Sequence, residues 1–326
     1  MSDKNFDELP TEKVETGIVK PKPATDYLED YFKTLGDGTR TMLGIETGLT
    51  PLDNATLGLD GVIVLGGVAG RGKTSLALQL AFDACEKGTP IIFYSLEMPK
   101  RAIYTKILNR LAKIKFSDIL LKGKLFLGET GQDTLAGLPQ TDKIKEDFKN
   151  AIARLKKVSD KFYIRSQERD EAEITFDKMK EEINIIKGIH NAEKVLVVVD
   201  HLQVFNAGEY RDQIDKEGKL ITGFKEVSEK TGATTLLISQ KNKSGFNSKG
   251  MQTIKGSVDI VYLADVVMTL EGEEEKDTDA DLLATFGGNI IKPIDLIISK
   301  NRYNAPTKIT LDFNGAYSNF NERDKQ

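Results

Sequence analysis

A glycine-rich turn between an apolar run and a helical pattern constrains the fold more than any other feature of the chain. The run Val62–Gly66 is rich in β-branched residues, and a helical pattern extends from Ser75 to Cys85. Between them, Gly67–Thr74 fits the template G-x-x-x-x-G-K-[ST], in which main-chain N–H groups surround phosphate oxygens at the start of a helix. A surface turn with a chance lysine would leave the glycines and the Lys-Thr pair unexplained. The segment therefore predicts a strand–loop–helix unit that binds a nucleotide.

The template assigns a task to each polar side chain of this phosphate-binding loop (P-loop). Lys73 is placed to reach the β- and γ-phosphates, and the Thr74 hydroxyl is placed to hold Mg²⁺. ATP and Mg²⁺ are therefore the expected cofactors. The nucleotide-binding residues expected from the loop are Gly67, Gly70, Arg71, Gly72, Lys73, Thr74 and Ser75.

The composition excludes several classes of protein. Among 326 residues, 39% are hydrophobic and 29% are charged, no apolar run approaches the length of a membrane span, and the N-terminus lacks the apolar core of a signal peptide. The single Cys85 excludes an internal disulfide framework, and one cysteine with two histidines does not make a zinc site. We therefore expect a cytoplasmic protein with no membrane partner. Because the net charge is −4, binding of nucleic acid requires a local basic patch.

Apolar strands alternate with helical patterns from Thr47 onward, which indicates an α/β fold with a mostly parallel central sheet flanked by helices. The predicted strands are Val62–Gly66, Pro90–Leu96, Phe162–Ile164, Val195–Val199, Thr234–Ser239, Val266–Leu270, Asp295–Ser299 and Lys308–Phe313. The helices predicted after the P-loop helix are Lys100–Ile114, Lys143–Lys157, Thr175–Lys187 and Lys219–Thr231.

Three regions are expected along the chain. Residues 1–25 are polar and contain three prolines, which is typical of a flexible tail. Residues 26–40 contain a short linker helix, in which the apolar side chains between Tyr27 and Leu35 lie near one face. This helix packs either on the core of its own chain or on a neighbouring subunit. Residues 41–326 form the nucleotide-binding domain.

Polar residues at the ends of predicted strands are candidates for the chemistry of hydrolysis, because ligands of open α/β sheets bind there. Asp200 ends an apolar strand, where a carboxylate either holds Mg²⁺ or simply terminates the strand. Glu97 follows another strand, as the general base or as the cap of a helix. Gln240 ends a third strand and is placed to sense the γ-phosphate.

Two cations and a lysine-rich stretch complete the candidate residues. Lys300 and Arg302 follow a late strand, either as structural ion-pair partners or as fingers that reach another subunit's γ-phosphate. The stretch 241–255 contains lysines and no acid, which favours contacts to the phosphate backbone of a nucleic acid; the alternative is a solvated surface loop. Its lysines are Lys241, Lys243, Lys249 and Lys255.

The order and the local sequences of these features resemble those of the RecA-like motor domain of DnaB-type replicative helicases. The resemblance extends over about residues 44 to 320, and the sequence motifs Ser-Leu-Glu-Met and Asp-x-Leu-Gln are specific within P-loop proteins. The motifs that carry it are Thr47–Asp53, the P-loop, Ser95–Met98, Val199–Gln203, Ser239-Gln240, Ala264–Met268 and Lys300–Arg302.

The resemblance implies a role for each candidate residue. Glu97 is then the catalytic glutamate, Asp200 the Mg²⁺ ligand and Gln240 the sensor. Lys300 and Arg302 act in trans on a neighbour's ATP, which implies a homo-hexameric ring. By the same resemblance, residues 41–326 are a RecA-like ATPase motor domain that translocates on single-stranded DNA, the linker helix docks on an adjacent subunit, and Tyr317 lies near the adenine.

Departures from the family leave alternatives open. His201 replaces a usual tyrosine, and the about 40 residues before the motor domain have no room for the family's N-terminal helical domain, which commonly engages primase. Primase or a loader remains a candidate partner, and a stand-alone motor suits a phage, plasmid or mobile-element replicon. The alternative functions are a RecA-like ATPase of the RadA or KaiC kind that does not unwind DNA, and a non-enzymatic loader. The loader is disfavoured because Glu97, Lys300 and Arg302 are all present.

Overall fold

The chain divides into two units, Met1–Thr41 and Met42–Gln326. The computed structural model describes residues 23–35, 42–127, 141–166, 173–205, 208, 211–240, 262–272 and 291–323. In the first unit, helix α1 spans Thr25–Thr34 and carries exposed apolar side chains at Leu28, Tyr31 and Phe32. None of the helices formed by the described residues has the length and apolar character needed to cross a membrane.

The described residues of the second unit form one nine-stranded sheet in the order β3-β2-β4-β5-β1-β6-β7-β8-β9. The strands are β1 Val62–Gly67, β2 Ile91–Ser95, β3 Phe162–Ser166, β4 Leu196–Asp200, β5 Thr234–Gln240, β6 Val266–Glu271, β7 Ile291–Asn301, β8 Thr307–Asn314 and β9 Asn319–Glu322. In this spatial order, the five neighbouring pairs between β3 and β6 are parallel, and the three pairs between β6 and β9 are antiparallel. The predicted α/β class and mostly parallel sheet are therefore confirmed.

Helices cover both faces of the sheet. They are α2 Thr50–Thr56, α3 Lys73–Glu86, α4 Lys100–Ala112, α5 Phe116–Leu127, α6 Thr141–Val158, α7 Phe176–His190 and α8 Gln213–Thr231. Alternate residues of β1 belong to different cores: Ile63 packs with α3 and α4, whereas Val64 packs with α7 and α8. A strand buried on both faces has no polar alternation, which is why the parallel strands are continuous apolar runs in the sequence.

Several elements differ from the sequence prediction. The helix predicted over Lys100–Ile114 ends at Ala112, and α5 was not predicted; Lys113 between the two helices has a left-handed φ of 53°. The apolar residues of α5 pack with α6 in a small separate core instead of on the sheet. Helix α8 begins at Gln213, because the Asp212 side chain caps it by accepting the N–H of Asp215.

The late strands are longer or more numerous than predicted. Strand β7 begins at Ile291, four residues before the predicted start at Asp295. Within the described part of the chain, its first four residues pair with β8 and not with β6, which meets β7 from Asp295 onward. They therefore show no continuous apolar signal. Strand β9 was not predicted, because Phe320 is the only buried residue among its four.

Candidate nucleotide-binding site

The P-loop connects the end of β1 to the start of α3 through glycines in left-handed conformations. Gly70 and Gly72 have φ of 81° and 83°, a region in which residues with a Cβ are strained. A Cβ at Gly72 would also lie 2.9 Å from the ring ends of both Phe313 and Phe320, which stack with centroids 4.4 Å apart. Only glycine fits this position, so the loop is held against strands β8 and β9.

Lys73 occupies the centre of the loop. It is 7% exposed, and its Nζ donates a hydrogen bond of 2.8 Å to the main-chain oxygen of Val68. Burial lowers the pKa of Lys73, while the nearby carboxylates of Asp200 and Glu97 act in the opposite direction. The ammonium therefore lies in the field of the two acids that the sequence assigned to the Mg²⁺ site and to catalysis.

Asp200 and Thr74 lie together beneath the loop. Asp200 is 1% exposed, and its carboxylate accepts a hydrogen bond from the Thr74 hydroxyl. Burial raises the pKa of Asp200, while the Thr74 hydrogen bond acts in the opposite direction. Among the described residues, Oδ2 of Asp200 has no hydrogen-bond partner. A buried carboxylate oxygen without a partner is costly, so these two residues fit a site for Mg²⁺.

Glu97 lies at the same edge of the sheet as Asp200. Ser95, the last residue of β2, pairs with Asp200, and Leu96 N–H donates to the main-chain oxygen of Asp200 at 2.7 Å. The Glu97 side chain is 55% exposed, and its Oε2 lies 3.4 Å from Nε2 of His201. Glu97 is thus accessible to a water and a substrate at the loop.

Gln240 is the exposed last residue of β5, and it pairs with Gly67 at the start of the P-loop. Its main-chain N–H donates to Oε1 of Gln203 at 3.3 Å. The candidate sensor therefore lies beside the loop that the sequence assigns to phosphate. Lys241, Lys243, Lys249 and Lys255, the predicted DNA-binding residues, lie outside the described residues.

Lys300 and Arg302 are not brought to the P-loop of their own chain. Because β7 is antiparallel to β6, Asn301 pairs with Val266, whereas Gly67 of the loop pairs with Leu270. Four residues of strand, roughly 13 Å, separate the two ends. The cations therefore lie at the sheet edge opposite the P-loop of their own chain.

Both cations have contacts within the chain. Nη1 of Arg302 lies 3.0 Å from Oδ1 of the buried Asp265, and Nζ of Lys300 donates to the main-chain oxygen of Tyr262 at 2.8 Å. The Arg302 side chain is nonetheless 49% exposed. Asp265 also accepts the N–H of Val62 at 2.8 Å, which ties this cluster to the start of β1.

The remaining predicted residues border the loop. Ser75 is buried, and its Oγ accepts a hydrogen bond of 3.4 Å from Lys106. Arg71 lies beside Gly272, the residue that follows β6, since a Cβ at Gly272 would be 2.9 Å from its Nη1. Tyr317 is half-buried at the end of the 3₁₀ turn Gly315–Tyr317, where its N–H donates to Oδ1 of Asn314 at 3.3 Å.

The structure adds residues that the sequence prediction missed. Burial lowers the pKa of Lys106, a second buried ammonium near the loop, and the Asp200 carboxylate acts in the opposite direction. Gln203 contacts the end of β5, and Asp265 pairs with Arg302. The signal for Lys106 is its place in the helix that begins just after Glu97. The contacts of Gln203 and Asp265 join distant parts of the chain and have no local signal.

Solved structures of known proteins share this fold. One of them, a solved ATPase domain, superposes with a TM-score of 0.74 at 16% identity, covering 94% of this chain and 100% of that one. The structure of a DnaB-like replicative helicase and its interactions with primase gives a TM-score of 0.72 at 16% identity, covering 94% of this chain and 68% of that one. At such low identity these likenesses establish the fold alone.

Sequence comparisons identify the family. The chain is 27% identical to the replicative DNA helicase DnaB of Mycoplasma pneumoniae, over 91% of this chain and 60% of that protein. It is 25% identical to the corresponding protein of Rickettsia bellii, over 86% of this chain and 57% of that protein. The chain therefore spans about 60% of the length of the first of these relatives. The model of the DnaB-like helicase C-terminal domain matches residues 44–322. Because this match covers most of the chain and every strand-end residue described above, the chain belongs to the DnaB-like helicase C-terminal domain family.

Proposed function

We propose that the chain is the ATP-driven motor domain of a replicative DNA helicase, a homo-hexameric ring that translocates on single-stranded DNA. The observation that carries the proposal is the convergence of Lys73, Glu97 and Asp200 at one edge of a parallel sheet. Family membership supports it, since the relatives matched over most of this chain are replicative DNA helicases.

The proposed reaction divides among side chains of the loop and the neighbouring strand ends. The P-loop N–H groups and the Lys73 ammonium bind the β- and γ-phosphates of ATP. Thr74 and Asp200 would hold Mg²⁺, which would neutralise phosphate charge. The exposed Glu97 carboxylate accepts the proton of the attacking water. Tyr317 is assigned to the adenine by family resemblance.

The position of Lys300 and Arg302 supports their action on a neighbouring subunit. They lie at the edge opposite their own P-loop, so a head-to-tail ring would present them to the next subunit's phosphates. Such fingers contribute about 10³–10⁵ in rate in P-loop enzymes. A homo-hexamer of this kind requires head-to-tail contacts that close into a ring.

Mixing two inactive variants tests whether Arg302 acts on the ATP of a neighbouring subunit. Arg302→Ala subunits keep an intact P-loop, and Lys73→Ala subunits keep an intact Arg302, so each homogeneous ring should hydrolyse almost no ATP. In rings assembled from equal amounts, about a quarter of the interfaces combine both intact residues. We expect ATPase activity to return to about that fraction of the wild-type rate. The measurement is steady-state phosphate release after subunit exchange.

Arg154→Ala is the matched control, because Arg154 is 50% exposed and pairs with Glu86 at the far end of α3. It should hydrolyse ATP at nearly the wild-type rate. A mixture of the two inactive variants that stays inactive, although it assembles, would contradict the action of Arg302 on a neighbouring subunit.

The proposed partners follow from the charge pattern and the family. Lys241, Lys243, Lys249 and Lys255 would contact the DNA backbone, so binding should weaken as salt rises. The structural neighbour solved with its primase interactions makes primase a candidate partner, with a loader as the alternative. The single, buried Cys85 favours a reducing compartment, and we place the protein in the cytoplasm.

Strand displacement on a forked DNA tests the function directly. With ATP and Mg²⁺, the wild-type chain should separate the strands, and Lys73→Ala should abolish the separation because it removes the ammonium at the centre of the loop. Hydrolysis of ATP without strand separation, with or without an added loader, would favour a RecA-like ATPase that does not unwind DNA.

A further inference from the structure

Gln203 joins the ends of β4 and β5. Its Oε1 accepts the main-chain N–H of Gln240 at 3.3 Å, and its Nε2 donates to Oγ of Ser239 at 2.9 Å. Because a main-chain N–H can only donate, these contacts fix the orientation of the amide. The same Oε1 lies 3.2 Å from Nδ1 of His201, which must therefore donate to it.

His201 extends this set of contacts to the candidate base. Its Nδ1 faces Gln203, and its Nε2 lies 3.4 Å from Oε2 of Glu97. The imidazole is almost buried, with 11% of the side chain exposed. A ring held through one nitrogen has a defined direction for the other, so Gln203 orients the nitrogen that faces Glu97.

Strand pairing does not make this connection. Strand β4 pairs with β5 from Leu196 to Val199, and that register ends at Leu237. Ser239 and Gln240 pair instead with β1, on the side of the P-loop. The Gln203 side chain therefore connects these last two residues of β5 to the residues that follow β4.

We propose that Gln203 is a positioning residue. By contacting both His201 and the end of β5, it couples the position of the Glu97 carboxylate to the position of Gln240. Displacement of Gln240 then alters the position of the base. The inference rests on the proposed function, in which Glu97 accepts the proton and the lysines that follow Gln240 in sequence contact DNA. Binding of DNA would accordingly change the turnover number of ATP hydrolysis more than the affinity for ATP.

The variant Gln203→Met tests the inference, since methionine has a similar unbranched shape but neither accepts nor donates these hydrogen bonds. We expect kcat for ATP to fall with KM nearly unchanged. Stimulation of the ATPase by oligo-dT should fall by about tenfold, within the range found for residues that couple two sites. The measurements are steady-state kinetics of the full chain with and without oligo-dT, and binding of a fluorescent ATP analogue.

Two further variants separate positioning from a purely structural role. Gln203→Glu keeps an oxygen for the Gln240 N–H, and the Ser239 hydroxyl can donate to the carboxylate, so it should retain most of the stimulation. Combining His201→Phe with Gln203→Met should cost little more than either change alone, because residues of one network are not additive. If Gln203→Met does not fold, Ser239→Ala decides the question, with a partial loss of stimulation expected.

The outcomes distinguish the inference from the proposed function. A wild-type chain that oligo-dT stimulates, with Gln203→Met or its substitute Ser239→Ala stimulated equally, overturns the inference and leaves the proposed function intact. Additive losses in the double variant also overturn it. A wild-type chain that hydrolyses ATP without any response to oligo-dT contradicts the proposed function, and the inference with it.

Discussion

Glu97→Gln should lower the turnover number for ATP by about 10²–10⁴, while the affinity for ATP stays close to that of the wild type. The amide has the size of the carboxylate but cannot accept the proton of water. Glu97 is largely exposed, and its carboxylate approaches His201 at 3.4 Å, so the fold should be unaffected by the change. Steady-state phosphate release and equilibrium binding of a fluorescent ATP analogue measure the two quantities.

Glu86→Gln is the control for removal of a glutamate charge. Glu86 is the last residue of α3, at the end away from the P-loop, where it pairs with Arg154 at 2.6 Å. We expect this variant to hydrolyse ATP at nearly the wild-type rate, since exposed ion pairs contribute little to stability. Near-normal hydrolysis by Glu97→Gln would mean that another group accepts the proton.

Asp200→Asn should abolish hydrolysis and, without nucleotide, stabilise the fold. Burial raises the pKa of Asp200, so ionisation of this carboxyl disfavours the folded state at pH values above that raised pKa. A neutral amide replaces the partnerless Oδ2 charge with a partnerless neutral group, which costs less to bury. We expect a gain of about 1 kcal/mol, or a rise in Tm of about 2–4 °C. Thermal unfolding at neutral pH and ATPase assays test the two halves of the prediction.

Asp53→Asn is the matched control at another buried aspartate, and we expect this change to lower the stability of the fold. Its two carboxylate oxygens accept hydrogen bonds from Thr47 N, Thr47 Oγ1 and Gly48 N at 2.9, 2.7 and 3.1 Å. An amide would place a donor against one of these donors, which should cost about 1–3 kcal/mol. If Asp200→Asn destabilises the fold as much as Asp53→Asn does, Asp200 is a structural residue and not one kept for a cation.

The parallel strands could be predicted to within one or two residues. Strands β1, β4 and β5 are buried on both faces, so each is a continuous apolar run that the sequence displays directly. By contrast, α5 was missed because its apolar residues serve a small separate core, and β9 was missed because Phe320 alone is buried in it. Prediction therefore succeeded where burial is continuous and failed where it is local or sparse.

The candidate site was predictable in part for a related reason. The P-loop residues are contiguous. Asp200 and Gln240 end strands of the parallel set and Glu97 follows another, so their common edge follows from strand direction. Lys300 and Arg302 end an apolar strand as well, but β7 runs antiparallel and carries them to the opposite edge. An apolar run looks the same in either direction, so the sequence could not distinguish these cases.

By itself, the sequence determined the α/β class, the nucleotide-binding loop and the residue types at the strand ends, because these depend on contiguous patterns of burial and on short motifs. Only the tertiary structure decided which side chains meet across the sheet. It brings Gln203 to Gln240, Asp265 to Arg302 and Lys106 to Ser75. Each of these contacts depends on strand order and helix packing between residues far apart in the chain, and no local pattern encodes such long-range pairing.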